Sequence, residues 1–131
     1  MQSLKIKNKN DKSKFKENFK KRLYKFVLRL IKFVGSLNKR DTVVRVISDQ
    51  LTRSGCSILS NYIEGSASNS RKEFTLYFSY SLKSANESQV WIALLRDSNK
   101  CDKAEANYLM KELGEIANIF ASSILTLKGR K

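Results

Sequence analysis

The sequence predicts an all-α fold, an antiparallel up-down-up-down four-helix bundle. Three observations carry this reading. Apolar residues recur at spacings of three and four along most of the 131 residues, the period of a helix with one buried face. The chain has no Pro, so nothing interrupts long helices. The breaks in the pattern are short and polar, and no segment shows the strict alternation or hairpin signal of strands. The length suits a single domain that buries a core without staples.

The elements follow in order. Residues 1–13 are polar and lysine-rich, and are expected to form a basic, mostly disordered arm. The bundle domain is expected over 14–131. In the first helix Phe19, Leu23, Phe26, Val27, Leu30, Val34 and Leu37 form the apolar stripe, while Lys21, Lys25, Arg29 and Lys32 follow the same rhythm on the other side. Asn38, Lys39 and Arg40 make a short connection. Asp41 or Thr42 caps a second helix, whose face is Val44, Ile47, Leu51, Ile58 and Tyr62 and which should stop at a left-handed Gly65. Ser70 and Glu73 have capping-box spacing and open a third helix bearing Phe74, Tyr77, Phe78, Leu82, Ala85, Ile92 and Leu95. Leu76, Tyr80, Val90, Trp91 and Leu94 widen that face beyond what one bundle core needs, so this helix is either central or buries a face against another subunit. After a turn at Ser98–Cys101, Asp102 and Glu105 repeat the capping logic. Leu109, Leu113, Ile116, Ala117, Phe120, Ile124 and Leu127 then run almost to the end. Four helices of about 24 residues, each roughly 36 Å long, joined by short loops, make neighbours antiparallel.

Charge is segregated. Residues 1–40 hold 14 basic and 2 acidic side chains, a net of +12; residues 41–131 hold 12 basic and 10 acidic, a net of +2. Such a block favours a polyanion, a nucleic acid or an anionic membrane surface, over a plain solubilising tail. The candidate nucleic-acid-binding residues are Lys5, Lys7, Lys9, Lys12, Lys14 and Lys16 in the arm and its root, and Lys20, Lys21, Arg22, Lys25, Arg29 and Lys32 along the first helix. Nothing among them resembles a base-reading motif, so sequence preference should be weak.

The composition points away from enzymes. With no His, the commonest general base and metal ligand is missing. A bundle-core di-metal site cannot be assembled from Glu-x-x-His pairs, and two lone Cys make no zinc site. Gly65-Ser66-Ala67-Ser68 lacks the spacing of a phosphate loop. No catalytic residue, metal or cofactor is expected. Met1 is followed by no apolar run that would serve as a secretory signal. Cys56 and Cys101 therefore read as free thiols in a reducing cytoplasm. The stretch from Leu23 to Leu37 is broken by Lys25, Arg29 and Lys32, too charged to span a bilayer.

Polar residues also occupy positions where apolar ones are expected. Ser54, Ser57, Asn61 and Glu64 on the second helix, and Ser81, Ser84, Glu87 and Ser88 on the third, fall at helical spacing. We expect a structural polar network of Arg53, Ser57, Asn61, Glu64, Ser84 and Glu87, with Asn61 and Glu64 largely buried and Arg53 or third-helix groups as partners. Buried polar groups must be hydrogen-bonded. A ligand pocket and simple exposure are the competing readings. Trp91 and the Phe and Tyr residues read as core rather than as base-stacking platforms.

Ser57-Ile58-Leu59-Ser60-Asn61-Tyr62-Ile63-Glu64-Gly65, followed by Ser70-Arg71-Lys72-Glu73-Phe74, resembles the four-helix-bundle family of 23S ribosomal RNA intervening sequences. Gln50-Leu51-Thr52-Arg53-Ser54 upstream, and Ser81 through Gln89 and Leu113-Gly114-Glu115-Ile116 downstream, are similar to further segments of that family. The likeness covers roughly residues 15–128. Leu59 stands where the family often has Pro, Tyr62 and Ile63 where it has Ile and Ala, and the basic arm is longer than in a typical member. The resemblance implies a left-handed four-helix bundle assembling into a ring-like homopentamer. It also implies kinship with the accessory proteins of diversity-generating retroelements, which bind nucleic acid and a reverse transcriptase.

Three functions compete at this level. The first is an oligomeric nucleic-acid-binding protein, with RNA preferred over DNA. The second is an oligomeric scaffold for a protein partner, with the lysines serving solubility. The third, and weakest, is a membrane-surface role for the first helix.

Overall fold

The computed structural model describes residues 9–129. Among them the elements are α1 (Lys9–Gly35), α2 (Thr42–Ser66), α3 (Arg71–Asp97) and α4 (Lys103–Gly129), with no strand. Helix α1 begins at Lys9, inside the segment read from the sequence as an arm. The three turns fall where the periodicity breaks.

The predicted caps form. Asp41 accepts from the backbone N–H groups of Val43 at 2.9 Å and Val44 at 3.2 Å. Ser70 Oγ accepts from Glu73 N at 3.1 Å, and Asp102 Oδ2 from Glu105 N at 3.0 Å. Each satisfies a donor that the first helical turn leaves without a partner.

Gly65 departs from the expectation. It does not take a left-handed conformation, and α2 continues to Ser66 with Ala67 as its C-cap. The glycine is buried inside the last turn, where an added Cβ would lie 2.9 Å from Tyr77 Cβ and 3.3 Å from Phe78 Cδ1. Close approach of α3, and not turn geometry, requires the missing side chain there. The positive φ belongs to Asn99 (60°) in the α3–α4 turn.

Each helix packs on the next in sequence, and α1 also packs on α4, with α2–α3 the most extensive contact. Small side chains allow that approach. Ser54 and Ser88 hydroxyls meet at 2.7 Å, and Ser81 Oγ donates to Ile58 O at 2.9 Å. Every helix contributes one ring to an aromatic layer. Phe19 meets Tyr62 edge-on at 5.3 Å and Phe120 at 5.3 Å, while Phe78 meets Phe120 edge-on at 5.2 Å and lies 5.5 Å from Tyr62. Tyr62 keeps its hydroxyl satisfied by donating to Lys16 O at 3.3 Å. Such edge-on contacts contribute about 0.5–1.5 kcal/mol each beyond burial. Leu23, Leu51, Ile92, Leu109 and Leu113 fill further core positions with no exposure.

Candidate nucleic-acid interface

The twelve predicted basic residues divide into three groups. Lys5 and Lys7 lie outside the described residues, as do the side chains of Lys9 and Lys12. Lys14, Lys16, Lys20, Lys21, Lys25 and Lys32 are exposed on α1. Arg22 and Arg29, in contrast, are taken up by α4.

Positions 14, 21, 25 and 32 are spaced seven, four and seven apart, so at 3.6 residues per turn they fall on one line along α1. That line runs opposite the buried stripe of Phe19, Leu23, Phe26, Leu30 and Phe33. A helix whose core face is this continuous leaves its lysines only the solvent side. Lys21 pairs loosely with Glu17, at 3.5 Å and with both side chains well exposed, a contact worth only a few tenths of a kcal/mol.

The two arginines sit on the α4-facing flank of the same helix. Arg22 donates from Nε to Glu112 Oε2 at 2.8 Å, from Nη2 to Glu112 Oε1 at 2.7 Å, and from Nη2 to Glu115 Oε1 at 2.8 Å. The hydrogen bond to Glu112 is the main reason its pKa is raised, against the opposing effect of desolvation. Glu115 is held below the usual carboxylate range by its hydrogen bond to Arg22. Arg29 makes the same fork with Glu105 at 2.7 and 2.9 Å, which pulls Glu105 downward. The Arg29 guanidinium lies 3.4 Å above the Tyr108 ring centroid, a cation–π contact. Arg22 and Arg29 are therefore seam residues that clamp α1 to α4, and their planar forks match carboxylates bidentately as lysine cannot. A shallow groove follows this seam, with Lys21 and Lys25 on the α1 side and Tyr108 and Glu112 on the α4 side.

Sequence reasoning missed the partners Glu105, Tyr108, Glu112 and Glu115. A signal for the carboxylates was present: Arg22 and Arg29 are seven apart, as are Glu105 and Glu112, the spacing two antiparallel helices need to pair them in reverse order.

The expected polar network is only partly assembled. Arg53 pairs with Glu87, whose Oε2 also accepts from Trp91 Nε1 at 3.0 Å, and Arg53 bonds Gln50 as well. Glu64 is not buried. It lies exposed near the end of α2, because Tyr62 and Gly65 take the inward positions of that turn. Asn61 is half-buried and donates to Ser57 O of its own helix at 2.9 Å, while Ser57 Oγ donates to Arg53 O at 2.8 Å. Neither reaches across to α3. The buried polar contact between these helices is made by serines. Ser88 Oγ donates to Ser84 O at 2.8 Å, so the Ser54 hydroxyl is the donor to Ser88 at 2.7 Å, with Leu51 O as a longer second acceptor at 3.3 Å. A Ser hydroxyl is short enough to fit between closely spaced backbones, whereas a carboxylate would bring a desolvation cost.

Among the described residues no His, Cys, Asp or Glu cluster could hold a metal ion, and no helix is long and apolar enough to cross a membrane. Cys56 and Cys101 are free thiols. Burial raises the Cys101 pKa.

Four helices around one core, with a lysine row on the outer face of the first, define a basic four-helix protein. The sequence model of the 23S rRNA-intervening sequence protein family matches residues 16–122. The chain belongs to that family. Among solved structures it is similar to a protein of unknown function from the S23 ribosomal protein family of Bacteroides thetaiotaomicron. The two share 27% identity, with a TM-score of 0.74 over 80% of this chain and 96% of the other. No curated protein sequence matches the chain.

Proposed function

We propose that this chain is a non-enzymatic, homo-oligomeric RNA-binding protein of the cytoplasm that takes no cofactor and engages the phosphate backbone through α1 and the arm that precedes it. One observation carries this reading: the carboxylates of α4 neutralise Arg22 and Arg29, yet Lys14, Lys21, Lys25 and Lys32 remain as an exposed line. Lysines presented this way offer point charges to a flexible polyanion and read no bases. The ribosomal RNA in the family's name supports RNA ahead of DNA, although family membership alone assigns no partner. The packing order α1–α2–α3–α4 with α1 against α4, joined by short turns, supports an up-down-up-down course. The apolar residues exposed on α3, with the resemblance, support self-association in the ring-like five-chain form.

Anisotropy titrations with a labelled single-stranded RNA test the reading. Affinity should fall steeply with salt, and removal of residues 1–14 should flatten the slope while helicity falls only by the first turns of α1 that the deletion takes away. Equal binding by full-length and truncated chains at every salt concentration would reduce the arm to a solubility tail. No binding at low salt would reject the reading altogether. The alternative is an oligomeric scaffold for a protein partner, and exposed Tyr24, Leu28 and Ile31 on α1 favour it. A protein that stays bound at high salt after nuclease treatment would establish that alternative. Binding to anionic vesicles but not to RNA would point to a membrane surface instead.

A further inference from the structure

The tyrosines were expected in the core, yet Tyr108 is 49% exposed. It stands on the α4 rim of the groove between α1 and α4, which Asn18, Lys21, Lys25 and Phe26 also line. The Arg22–Glu112 and Arg29–Glu105 pairs set the register of these two helices. In that register Tyr108 lies level with Phe26, one residue along α1 from Lys25. The centre of the lysine row therefore passes beside the ring.

The ring carries a flat cation. The Arg29 guanidinium lies 3.4 Å above its centroid. Nε and Nη2 of the same guanidinium donate to the two oxygens of Glu105 at 2.7 and 2.9 Å. A bidentate fork engages the edge of a guanidinium and holds its plane. The pair is thus a stack of two flat groups, fixed in orientation and open to water, since the Arg29 side chain is itself 43% exposed. A lone exposed tyrosine needs no explanation. An exposed one stacked on an oriented arginine, beside an unpaired lysine row, has the parts of a binding surface.

Charge selects the occupant. Along the seam the cations are matched, Arg22 by Glu112 and Glu115 and Arg29 by Glu105. Beside the seam, Lys21 has only its loose pair with Glu17, and Lys25 pairs with no carboxylate among the described residues. A ligand that suits both must be anionic along one edge and flat and uncharged next to it. An acidic peptide supplies no such flat group and would bring its carboxylates up to those of α4. A duplex keeps its bases stacked on one another. An RNA strand with unpaired bases fits, because bases of any identity stack on aromatic rings and on guanidinium planes.

We propose that an unpaired base of single-stranded RNA stacks on the Arg29–Tyr108 pair while Lys21 and Lys25 hold the neighbouring phosphates. The proposal rests on the RNA-binding reading and deepens it, by naming the unpaired strand as the ligand and adding a contact that the lysines do not make.

The test is made on the full chain by anisotropy titration of three labelled probes: an oligouridine, a ribose-phosphate strand of equal length without bases, and a duplex. The native chain should bind the oligouridine about five-fold or more tighter than the strand without bases. Tyr108→Ala should lose that margin. Its loss should be the same at every salt concentration, with the log–log slope unchanged, because no phosphate contact is removed. Its affinity for the strand without bases and for the duplex should match that of the native chain, with helicity unchanged. Tyr108→Phe, which keeps the ring, should restore oligouridine binding; Tyr108→Leu, which keeps bulk without a π face, should not. A loss of equal size on the strand without bases would show that Tyr108 acts only through the Arg29 clamp, and would overturn the proposal. So would full binding of oligouridine by Tyr108→Ala, or equal affinity of the native chain for strands with and without bases. Salt-dependent binding that ignores the bases leaves the RNA reading standing and ends only the stack; no binding of any probe at low salt ends both.

Discussion

Replacing Lys21 and Lys25 together by Gln removes the two central charges of the α1 row and little else. Both side chains are exposed, Gln is nearly as good a helix former as Lys, and the lost Lys21–Glu17 pair is a loose surface contact. If each of Lys14, Lys21, Lys25 and Lys32 neutralises one phosphate of a single strand, the row contributes a log–log salt slope of about −2.8, from about −0.7 per contact. The double variant should keep about half of that, about −1.4. Across a four-fold rise in salt, the row's share of the affinity loss falls from about 50-fold to about 7-fold. Contacts made by the arm add equally to both proteins and cancel in the difference. The assay is anisotropy of a labelled single-stranded RNA at several salt concentrations, with circular dichroism as the control for folding. Slopes that agree within error would refute the assignment of the row as the phosphate-binding face, even if both proteins bind.

The other expectations concern stability. Glu112→Ala leaves Arg22 with Glu115 alone and should cost about 1 kcal/mol in urea denaturation, a modest figure because the seam is partly solvated. Ser88→Ala leaves the buried Ser54 hydroxyl only its long 3.3 Å bond to Leu51 O and should cost about 1 kcal/mol, whereas Ser54→Ala costs less because Ser88 keeps Ser84 O; the double variant should cost less than the sum, measured as a double-mutant cycle. Glu64→Ala should change stability by no more than about 0.5 kcal/mol, as befits an exposed position, and a larger loss would show that the carboxylate has a buried partner. Asp41, Glu105 and Glu115 have pKa values lowered in the fold, through Lys100, Arg29 and Arg22 respectively. Their contribution is present above the unfolded carboxylate pKa and is lost as pH falls through the lower folded values, so thermal midpoints should hold between pH 6 and 7 and fall below about pH 4. A midpoint unchanged at pH 3 would contradict this.

The helices, their caps and the core stripes could be read in the chain, because each depends on local spacing. Asp41, Ser70 and Asp102 cap helices through donors two or three residues away, and Phe19, Tyr62, Phe78 and Phe120 mark buried faces through the 3.6-residue period alone. The lysine row was also local information, since one helix suffices to align 14, 21, 25 and 32. What lay between helices was not readable in the same way. Arg22 and Arg29 look like their lysine neighbours until α4 brings Glu105, Glu112 and Glu115 to them, and only the relative placement of two helices separates clamp from free cation. Glu64 and Gly65 were misread for the same reason. The sequence says that a turn of helix ends there, but the approach of Tyr77 and Phe78 decides which position must be small and buried and which carboxylate is left in water. Periodicity fixes the direction of a side chain about its own axis; what stands opposite it is set by packing between segments distant in the chain, and that belongs to the tertiary structure.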